Sequence, residues 1–377
     1  MKKICLVTTS PLIVNFFLLP FLASLGRVYR VSLAVNPDED TALADGHGAE
    51  VIALPIRRKI SPWSDLRTLA LLIRLFRERR FDAIHSFSPK AGLLAMVAAW
   101  IARIPVRIHI FQGEVWLTRK GAMRLLLKFL DRLVARLATH VLVVSRSERD
   151  FLIREGVIRN ASSKVLADGS ISGVDVKRFH PDPSVRAEIR RLLGIRERDF
   201  FILFLGRLTM DKGVLDLAMA FAQLATTRRE AHLVLVGPDE DHLRGAVEEL
   251  CTRCSGRVHV VDLTNTPERY LAAADVLCLP SLREGFPTAI IEAAAAGVPA
   301  VGSRIYGITD AIIEGETGLL HTPADANDLA EKMEMLMKDP ALRERLGARA
   351  RQRAVAEFNQ QRLTQALLDF YREALGE

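Results

Sequence analysis

Short apolar runs that alternate with longer helical segments are the feature that most restricts the fold of this 377-residue chain. A run such as 200–205 has the length and composition of a buried strand, whereas segments such as 65–79 and 123–137 have helical periodicity. Strands and helices in alternation predict parallel sheets that are covered by helices on both faces. The predicted strands are 4–8, 31–35, 51–54, 83–85, 106–111 and 141–144 in the first half, and 200–205, 233–236, 258–261, 276–279 and 299–302 in the second half.

The alternation is interrupted near 173–183, where Gly173 and the pair Pro181 and Pro183 break the periodicity. A chain of this length is long enough for two domains that each bury their own core. The sequence therefore predicts an α/β protein of two Rossmann-like domains, 1–175 and 176–357, whose parallel sheets face each other across a cleft. Residues 358–377 form a third predicted segment, a helix with apolar residues at amphipathic spacing.

Two glutamates, Glu284 and Glu292, flank a predicted helix start in the second half. We expect a strand that ends near Pro280, a turn that contains Glu284, and a helix that is opened by Pro287 and closed by Gly297. The free amides and the dipole of a helix N-terminus favour a bound phosphate, and carboxylates accept hydrogen bonds from sugar hydroxyls. The pattern indicates a sugar nucleotide site, although a turn glutamate and a helix-surface glutamate without function would look the same.

The predicted strand 200–205 delivers a second motif, Gly206-Arg207-Leu-Thr-Met-Asp-Lys212-Gly213, at its carboxyl end. Ligands bind at these strand ends in open α/β sheets. The glycines allow close approach of the backbone, while Arg207 can form a fork on phosphate oxygens and Lys212 supplies a point charge. The segment lacks the Gly-Lys-Ser/Thr ending of a Walker loop. Two solvated basic side chains in a loop are the alternative.

These motifs follow one another in a familiar order. The series is Gly206-Arg207-x4-Lys212-Gly213, Leu233-Val-Leu-Val-Gly237, the segment 272–281, Glu284-x7-Glu292 and Gly315-Glu-Thr-Gly-Leu-Leu320. It resembles the donor half of the retaining GT-B glycosyltransferases of family 4, and the resemblance is most specific over 200–320. It implies transfer of a sugar from a nucleoside diphosphate donor with retention of anomeric configuration, without a required metal or other cofactor. In the resembled fold the last helix crosses back to the first domain; a helix on its own domain is the alternative.

The resemblance also implies roles for single residues. Arg207 and Lys212 would neutralise the diphosphate leaving group, where charge develops during the reaction, and Glu292 would bind the ribose hydroxyls. Glu284 would hold the sugar, in a recognition role rather than as a glycosidase-like nucleophile. The expected donor site is completed by Gly206 and by the helix-start residues Gly285, Phe286, Pro287 and Thr288, with Ala289 beside them.

The first half departs from the family pattern. The segment 8–15 lacks the glycine pair that many relatives carry after the first strand, and Gln112 stands where many have a histidine. Gln112 cannot act as a general base, and His109 lies three residues early, so His109 is either a strand histidine or a catalyst. Lys90, in a strand-to-helix turn, is positioned to reach an acceptor phosphate. We therefore expect Lys90, His109 and Gln112 to contact the acceptor.

Two Asp-x-Asp segments, Asp38-Glu-Asp40 and Asp239-Glu-Asp241, have the form that binds manganese in the other major glycosyltransferase fold. Both follow a proline in a turn context, where acidic residues are common, so we interpret them as solvated turns. Cys251 and Cys254 have zinc-ligand spacing but lack a second pair of ligands. The sequence therefore predicts no metal site.

The positive charge of the chain is concentrated in its first half. Residues 1–180 carry 28 Lys and Arg against 15 Asp and Glu, whereas residues 181–377 carry 24 against 30. This asymmetry indicates an anionic partner, for which the open candidates are nucleic acid, an acidic membrane surface or a phosphate-bearing acceptor. In 119–136 the basic residues Arg119, Lys120, Arg124, Lys128, Arg132 and Arg136 recur with leucines between them, which is typical of an interfacial helix and equally of a Rossmann helix with a basic face.

Neither a signal peptide nor a membrane-spanning segment is recognisable, since the apolar stretches 11–25 and 91–101 are too short to span a bilayer. We expect a cytoplasmic enzyme that is peripheral on the inner face of the cytoplasmic membrane. Its predicted reaction is transfer of a sugar, most simply from a UDP-sugar, to a lipid-linked, lipopolysaccharide or polysaccharide acceptor. A sugar-nucleotide epimerase of the same architecture would need no acceptor. A nucleic-acid-binding protein is disfavoured because interleaved aromatics and recognisable RNA modules are missing.

Overall fold

A computed structural model describes residues 1–37, 43, 48–57 and 61–377 of the chain. It consists of two compact units, which are Met1–Ser172 together with Gln360–Glu377, and Gly173–Asn359. Each unit contains one open sheet with helices packed against it. Asp38, Glu39, Asp40, Arg58 and Lys59 lie outside the described residues.

The strands of both sheets are short and mostly buried. The first sheet contains β1 Lys3–Val7, β2 Arg30–Val35, β3 Glu50–Ala53, β4 Ala83–Phe87, β5 Val106–Phe111, β6 His140–Val143 and β7 Ser163–Lys164. The second sheet contains β8 Phe200–Leu205, β9 Ala231–Val236, β10 Val258–Val261, β11 Val276–Leu279, β12 Ala300–Ser303 and β13 Gly318–His321. Eleven of these strands were predicted from apolar runs, within two residues at each end.

Helices connect the strands. The first unit contains α1 Pro11–Ile13, α2 Leu19–Leu25, α3 Pro62–Arg79, α4 Pro89–Ile101, α5 Gly121–Leu137 and α6 Arg146–Arg154, with a π-helical turn at Val14–Leu18 between α1 and α2. The second unit contains α7 Pro183–Leu192, α8 Val214–Thr227, α9 Arg244–Leu250, α10 Pro267–Ala273, α11 Thr288–Ala295, α12 Ile308–Ala311, α13 Ala326–Lys338 and α14 Pro340–Glu357. The last helix, α15 Gln360–Leu375, is part of the first unit. Among the described helices none is both long and apolar enough to cross a membrane.

Both sheets are parallel throughout and share the same order over six strands, to which the first sheet adds β7 at one edge. The first runs β3-β2-β1-β4-β5-β6-β7 and the second runs β10-β9-β8-β11-β12-β13. In each sheet the order reverses once, between β1 and β4 and between β8 and β11. Such a reversal is a topological switch point, where ligands bind beyond the carboxyl ends of the strands. The second switch point therefore lies just after Leu205 and Leu279.

Local sequence signals explain several helix starts. The side chain of Asp182 accepts hydrogen bonds from the amides of Ser184 and Val185, and Pro183 occupies the first helical position of α7. Asp325 caps α13 in the same way. Short polar side chains are favoured here because they satisfy amides that have no partner inside the helix.

The C-terminal helix α15 buries an apolar stripe against the first unit. Leu363, Leu367, Phe370 and Tyr371 are each at most 5% exposed, and the Tyr371 hydroxyl lies 2.7 Å from Nδ1 of the buried His85 in β4. The helix was predicted to begin at Phe358. In the structure Phe358 is buried and is the C-cap residue of α14, and α15 begins at Gln360. The apolar periodicity located the helix, while the break before it has no clear sequence signal.

Candidate active site

The two predicted donor motifs lie side by side because β8 and β11 are neighbours in the second sheet. The loop 206–213 follows β8, and the loop 280–287 follows β11. Both loops therefore project from the switch point. The two loops are about seventy positions apart in sequence, and the strand order brings them together.

Two glycines allow the first loop to pack closely on its surroundings. Gly213 has φ +67, and a Cβ atom there would lie 2.1 Å from the Pro280 carbonyl oxygen. A Cβ atom at Gly237 would lie 2.0 Å from the carbonyl oxygen of Gly206. Any larger residue at either position must displace backbone, so glycine fixes the distance between the loops.

Lys212 and Glu284 form the centre of this arrangement. The Lys212 Nζ atom lies 2.5 Å from Oε1 of Glu284, which also accepts a hydrogen bond of 2.7 Å from the Ser281 hydroxyl. Glu284 is only 8% exposed. A buried carboxylate with a charged and a neutral donor is held in one orientation. Ser281 was not among the predicted site residues, because the prediction relied on charged side chains and on backbone amides.

A second ion pair braces the same two loops. Asp211 accepts a hydrogen bond of 2.6 Å from Arg283, and the Thr209 hydroxyl donates to the other Asp211 oxygen. Although burial acts in the opposite direction, the bonds from Thr209 and Arg283 hold the pKa of Asp211 below its usual value. Neither Asp211 nor Arg283 was singled out from the sequence, because a lone acid and a lone base in separate loops resemble ordinary surface charges.

Arg207 lies farther out than Lys212. Its guanidinium is 2.8 Å from Glu240, and both side chains are about one third exposed. An exposed pair of this kind contributes little to stability, so the guanidinium exchanges partners at small cost. Arg207 is thus available to an anionic ligand.

The helix α11 begins one residue later than predicted, at Thr288, with Pro287 as its N-cap. The backbone N–H groups of Gly285, Phe286, Thr288 and Ala289 lie in the loop and first turn at this N-terminus, since Pro287 has none, and the buried Phe286 ring packs in a tilted arrangement against Phe358 at a centroid distance of 5.3 Å. Glycine is required nearby as well, because a Cβ atom at Gly307 would meet the Gly285 oxygen at 2.3 Å. The loop therefore presents backbone amides rather than side chains at the helix start.

Glu292 lies one turn into α11 and is partly buried. Burial raises its pKa to about 7, with Arg178 acting in the opposite direction and Glu268 raising it further. Arg178 is itself paired with Glu268 at 2.8 Å. A carboxyl group that titrates near neutral pH is suited to hydrogen bonding with hydroxyl groups in either protonation state.

The predicted acceptor residues lie in the first unit, in different surroundings. Lys90, at the start of α4, pairs with Asp65 at 2.6 Å and is mostly buried. Gln112 directly follows β5. His109 is 2% exposed, its Nδ1 atom lies 2.8 Å from the Ser86 hydroxyl, and burial lowers its pKa to about 3. Its position inside the sheet core favours the strand-histidine interpretation over the catalytic one.

Sequence reasoning missed a cluster of buried acids beside Gln112. Glu114 and Glu148 are at most 2% exposed, and the Gly113 amide donates to Glu148. Burial and the neighbouring Glu114 raise the pKa of Glu148 well above its usual value. Burial likewise raises the pKa of Asp131 to about 7, where the Trp116 indole donates to it. These acids tie the loop that carries Gln112 to α5 and α6.

The second Asp-x-Asp segment is occupied by structural hydrogen bonds. Asp239 accepts from the amides of Leu243 and Arg244 at 2.8 and 3.1 Å, and Asp241 accepts from the Met210 amide at 2.8 Å. Within the described residues, no three His, Cys, Asp or Glu side chains are grouped as metal ligands. The carboxylates of this segment cap and brace loops, as expected for turn residues.

Comparison with known families adds to this geometry. The model for "Glycosyl transferases group 1" matches residues 185–353, and the model for "Glycosyl transferase 4-like domain" matches residues 22–168. Together they cover both units. The chain is a GT-B glycosyltransferase. The predicted fold class is confirmed. The loops 206–213 and 280–287 lie within the segment that the group 1 model matches, and Lys90, His109 and Gln112 lie within the segment that the 4-like model matches.

Individual relatives agree with this assignment. The capsular polysaccharide biosynthesis glycosyltransferase CapM of Staphylococcus aureus is 29% identical over 86% of this chain and 85% of its own length. The N,N'-diacetylbacillosaminyl-diphospho-undecaprenol alpha-1,3-N-acetylgalactosaminyltransferase of Campylobacter jejuni is 28% identical over 94% of both chains. Anabaena HepE, solved in complex with UDP and glucose, superposes with a TM-score of 0.81 at 20% identity over 98% of this chain and 99% of its own.

Proposed function

We propose that this glycosyltransferase moves a sugar from a UDP-sugar to a lipid-linked, lipopolysaccharide or polysaccharide acceptor, with retention of configuration and without a metal. The observation that carries the proposal is the contact of Lys212 with Glu284 beside the N-terminus of α11, at a switch point. A cation, a carboxylate and the backbone amides of a helix N-terminus together match a diphosphate joined to a sugar. The names of the relatives support the acceptor class, and the UDP complex of the Anabaena protein supports the nucleotide.

In the proposed reaction, Arg207 and Lys212 stabilise the negative charge that develops on the diphosphate as the glycosidic bond breaks. The amides of Gly285, Phe286, Thr288 and Ala289 bind phosphate oxygens, and Glu292 accepts hydrogen bonds from the ribose hydroxyls. Lys212 thereby supplies the positive charge that a divalent cation would otherwise supply at the leaving group.

Glu284 positions the donor sugar rather than attacking it. Its Oε1 atom already accepts two hydrogen bonds, from Lys212 and Ser281, which lowers its value as a nucleophile and leaves Oε2 for a sugar hydroxyl. The acceptor hydroxyl then attacks from the face that the diphosphate leaves, and its proton passes to the departing phosphate. In this proposal Lys90 and Gln112 contact the acceptor, and the reaction takes place at the cytoplasmic face of the membrane.

The test is a panel of UDP-sugars and other sugar nucleotides, incubated with the full chain, with and without an undecaprenyl diphosphate sugar as acceptor. We expect one UDP-sugar to give a glycosylated lipid whose new linkage has the anomeric configuration of the donor, as read by NMR. We expect EDTA to leave the rate within a few-fold of the untreated rate.

Three outcomes would contradict parts of the proposal. Inversion at the anomeric carbon would overturn the retaining assignment, and a strict manganese requirement would overturn the role of Lys212. Conversion of the UDP-sugar without any acceptor, to an epimer or to free sugar, would identify a sugar-nucleotide epimerase or hydrolase instead.

A further inference from the structure

The outward face of α5 in the first unit is apolar and uncovered. Leu125 is 70% exposed, Phe129 is 59% exposed and Leu126 is 50% exposed. Of the seventeen residues in this helix only Val134, near its end, is fully buried. Large apolar side chains in a contiguous exposed patch mark an interaction surface, because single ones are normal but a row of them is not.

These side chains form one stripe. At 100° per residue, Leu125, Phe129 and Leu126 fall within about a third of a turn on the helix surface. Leu133 continues the stripe by about one turn beyond Phe129 and is half-buried. The stripe points away from the core of the unit, which Val134 contacts on the opposite side.

A basic pocket adjoins the stripe at the C-terminal half of α5. It has a volume of about 350 Å³ and is lined by Arg132, Arg136 and Arg159, with Val157 and Ile158 at its apolar side. Arg132 donates to the carbonyl oxygens of Glu155 and Gly156. Arg136 and Arg159 have no side-chain partner within the described part of the chain.

The pocket and the stripe are close enough to act together. Arg136 lies seven residues beyond Phe129, which is about 10 Å along the helix axis. Guanidinium groups bind phosphate through paired hydrogen bonds, and a pocket of this volume is in the range that accommodates small ligands, about 300 to 1,000 Å³. Apolar side chains beside phosphate-binding arginines match the boundary between acyl chains and head groups.

Contacts within the first unit already engage some of the basic side chains of α5, so only the others are available to a ligand. Lys128 pairs with Glu155 at 2.5 Å, and Arg124 lies over the Trp116 ring at 5.7 Å. The available positive charge therefore comes mainly from Arg136 and Arg159, with the exposed Arg119 and Lys120 at the start of α5. The net charge of the whole first unit is also positive, with 28 Lys and Arg against 17 Asp and Glu.

We propose that the α5 stripe (Leu125, Leu126 and Phe129) and the pocket of Arg132, Arg136 and Arg159 form a docking surface for an anionic phospholipid bilayer. The apolar side chains enter the interface, and Arg136 and Arg159 bind lipid phosphates. Charge complementarity selects the bilayer over a second copy of the chain, because two copies of this surface would bring like charges together. The inference rests on the proposed function in one respect, namely that the acceptor is carried on a lipid.

The experiment is flotation of the full chain with vesicles of phosphatidylcholine alone, or of phosphatidylcholine mixed equally with phosphatidylglycerol, at low and high salt. We expect binding to the mixed vesicles only, with weakening as salt rises. Leu125→Ser with Phe129→Ser should reduce this binding about tenfold or more, because the inserted apolar area is lost. Arg136→Glu with Arg159→Glu should reduce it by a similar factor and remove most of its salt dependence.

Matched controls come from the second unit. Leu192 is 72% exposed, so Leu192→Ser removes a comparable apolar side chain elsewhere. Arg345 and Arg349 are exposed on α14, so Arg345→Glu with Arg349→Glu makes the same change of charge. Both controls should bind mixed vesicles like the parent.

Two results would overturn the proposal. One is no binding of the parent to mixed vesicles, or equal effects of the α5 variants and their controls. The other is a dimer in light scattering that the Leu125 and Phe129 variant converts to monomer while vesicle binding is unchanged, which would make a second copy the occupant. UDP binding measured without vesicles separates this test from the proposed function: loss of vesicle binding with intact UDP binding contradicts only the docking surface, and the reverse contradicts only the donor site.

Discussion

At the scale of single residues, the ion pair of Lys212 and Glu284 sets the charge of the proposed donor site before a ligand binds. Both residues were expected at the site, Lys212 on the diphosphate and Glu284 on the sugar. The contact between them was not predicted, because seventy-two positions separate them and only the adjacency of β8 and β11 joins them. In the free protein Glu284 neutralises the charge of Lys212, so the Lys212 side chain is held in place without a bound anion.

Removing either donor-site cation should slow transfer. Lys212→Ala and Arg207→Ala should each lower turnover on the order of 100-fold, because a preorganised charge on the leaving group is lost. The melting temperature should change little for Arg207→Ala, whose pair with Glu240 is exposed. Arg228→Ala is the matched control, since Arg228 has a similar exposure and a similar partner, Glu334, at the far end of α8. Turnover of the Arg207 and Lys212 variants within a few-fold of the parent would remove the diphosphate assignment.

Glu292 should make donor binding depend on pH. Its carboxyl is neutral below its pKa of about 7 and accepts ribose hydroxyls best when ionised. Affinity for UDP should therefore rise as pH rises through about 7. The Glu292→Gln variant should bind UDP more weakly than the parent and should lack this pH dependence. UDP phosphate also titrates near pH 6. The measurement is therefore the difference in UDP affinity between parent and variant at each pH, determined by calorimetry. Glu248→Gln, an exposed glutamate on α9, should keep the parent profile; an unchanged profile for Glu292→Gln would contradict the ribose assignment.

The same pKa affects stability with a defined sign. Between the ordinary glutamate value of 4.5 and about 7, the native state holds a proton on Glu292 that the unfolded chain has released. Stability contributed at this residue therefore falls as pH rises through that window. The Gln variant should be without this loss when unfolding is followed by urea titration at several pH values.

At the scale of elements, apolar runs were sufficient to locate the strands that are buried on both faces. The bounds of β8 and β11 agree with prediction, because each is a continuous run of apolar residues. β7 was missed since it consists of only Ser163 and Lys164, and β13 was missed because only Leu319 and Leu320 of its four residues are apolar. Strand order is not encoded in such runs, so the grouping of the site residues followed only from the sheet.

Gly213 should be required for the spacing of the two donor loops. Gly213→Ala and Gly194→Ala introduce the same strain, about 1–2 kcal/mol, because both glycines have φ near +70. Only at Gly213 does the new Cβ meet backbone, the Pro280 oxygen at 2.1 Å, whereas nothing lies within 4 Å at Gly194. UDP affinity should fall about tenfold or more for Gly213→Ala and stay at the parent value for Gly194→Ala. Equal affinities would show that the loop spacing is not set at Gly213.

At the scale of the whole molecule, the chain folds into two cores, and the first core is completed by residues from the end of the sequence. His85 is 1% exposed, and Tyr371 of α15 bonds its Nδ1 atom. Nε2 of His85 has no partner within the described residues. The first core therefore depends on α15 both for apolar cover and for satisfying a buried polar group.

Tyr371→Phe should destabilise the first unit by about 1–3 kcal/mol, because the buried His85 ring loses its hydrogen bond. Hydrogen exchange measured by mass spectrometry should show faster exchange in Ala83–Phe87 and an unchanged rate in Phe200–Leu205. Tyr270→Phe serves as control, since no hydrogen bond of the Tyr270 hydroxyl is present in the described structure. Equal acceleration in both strands would mean that the two cores unfold as one.

The placement of α15 has a consequence for biosynthesis. A ribosome delivers the chain from its N-terminus, so the second unit, Gly173–Asn359, is fully synthesised while the first unit still lacks Gln360–Glu377. Until Gln360–Glu377 are synthesised, the first unit has no cover from Leu363, Leu367 and Phe370. The unit whose synthesis begins first is thus completed after the second unit, and a chain released before residue 360 carries a complete second unit together with an open apolar surface on the first, of the kind that chaperones and proteases recognise.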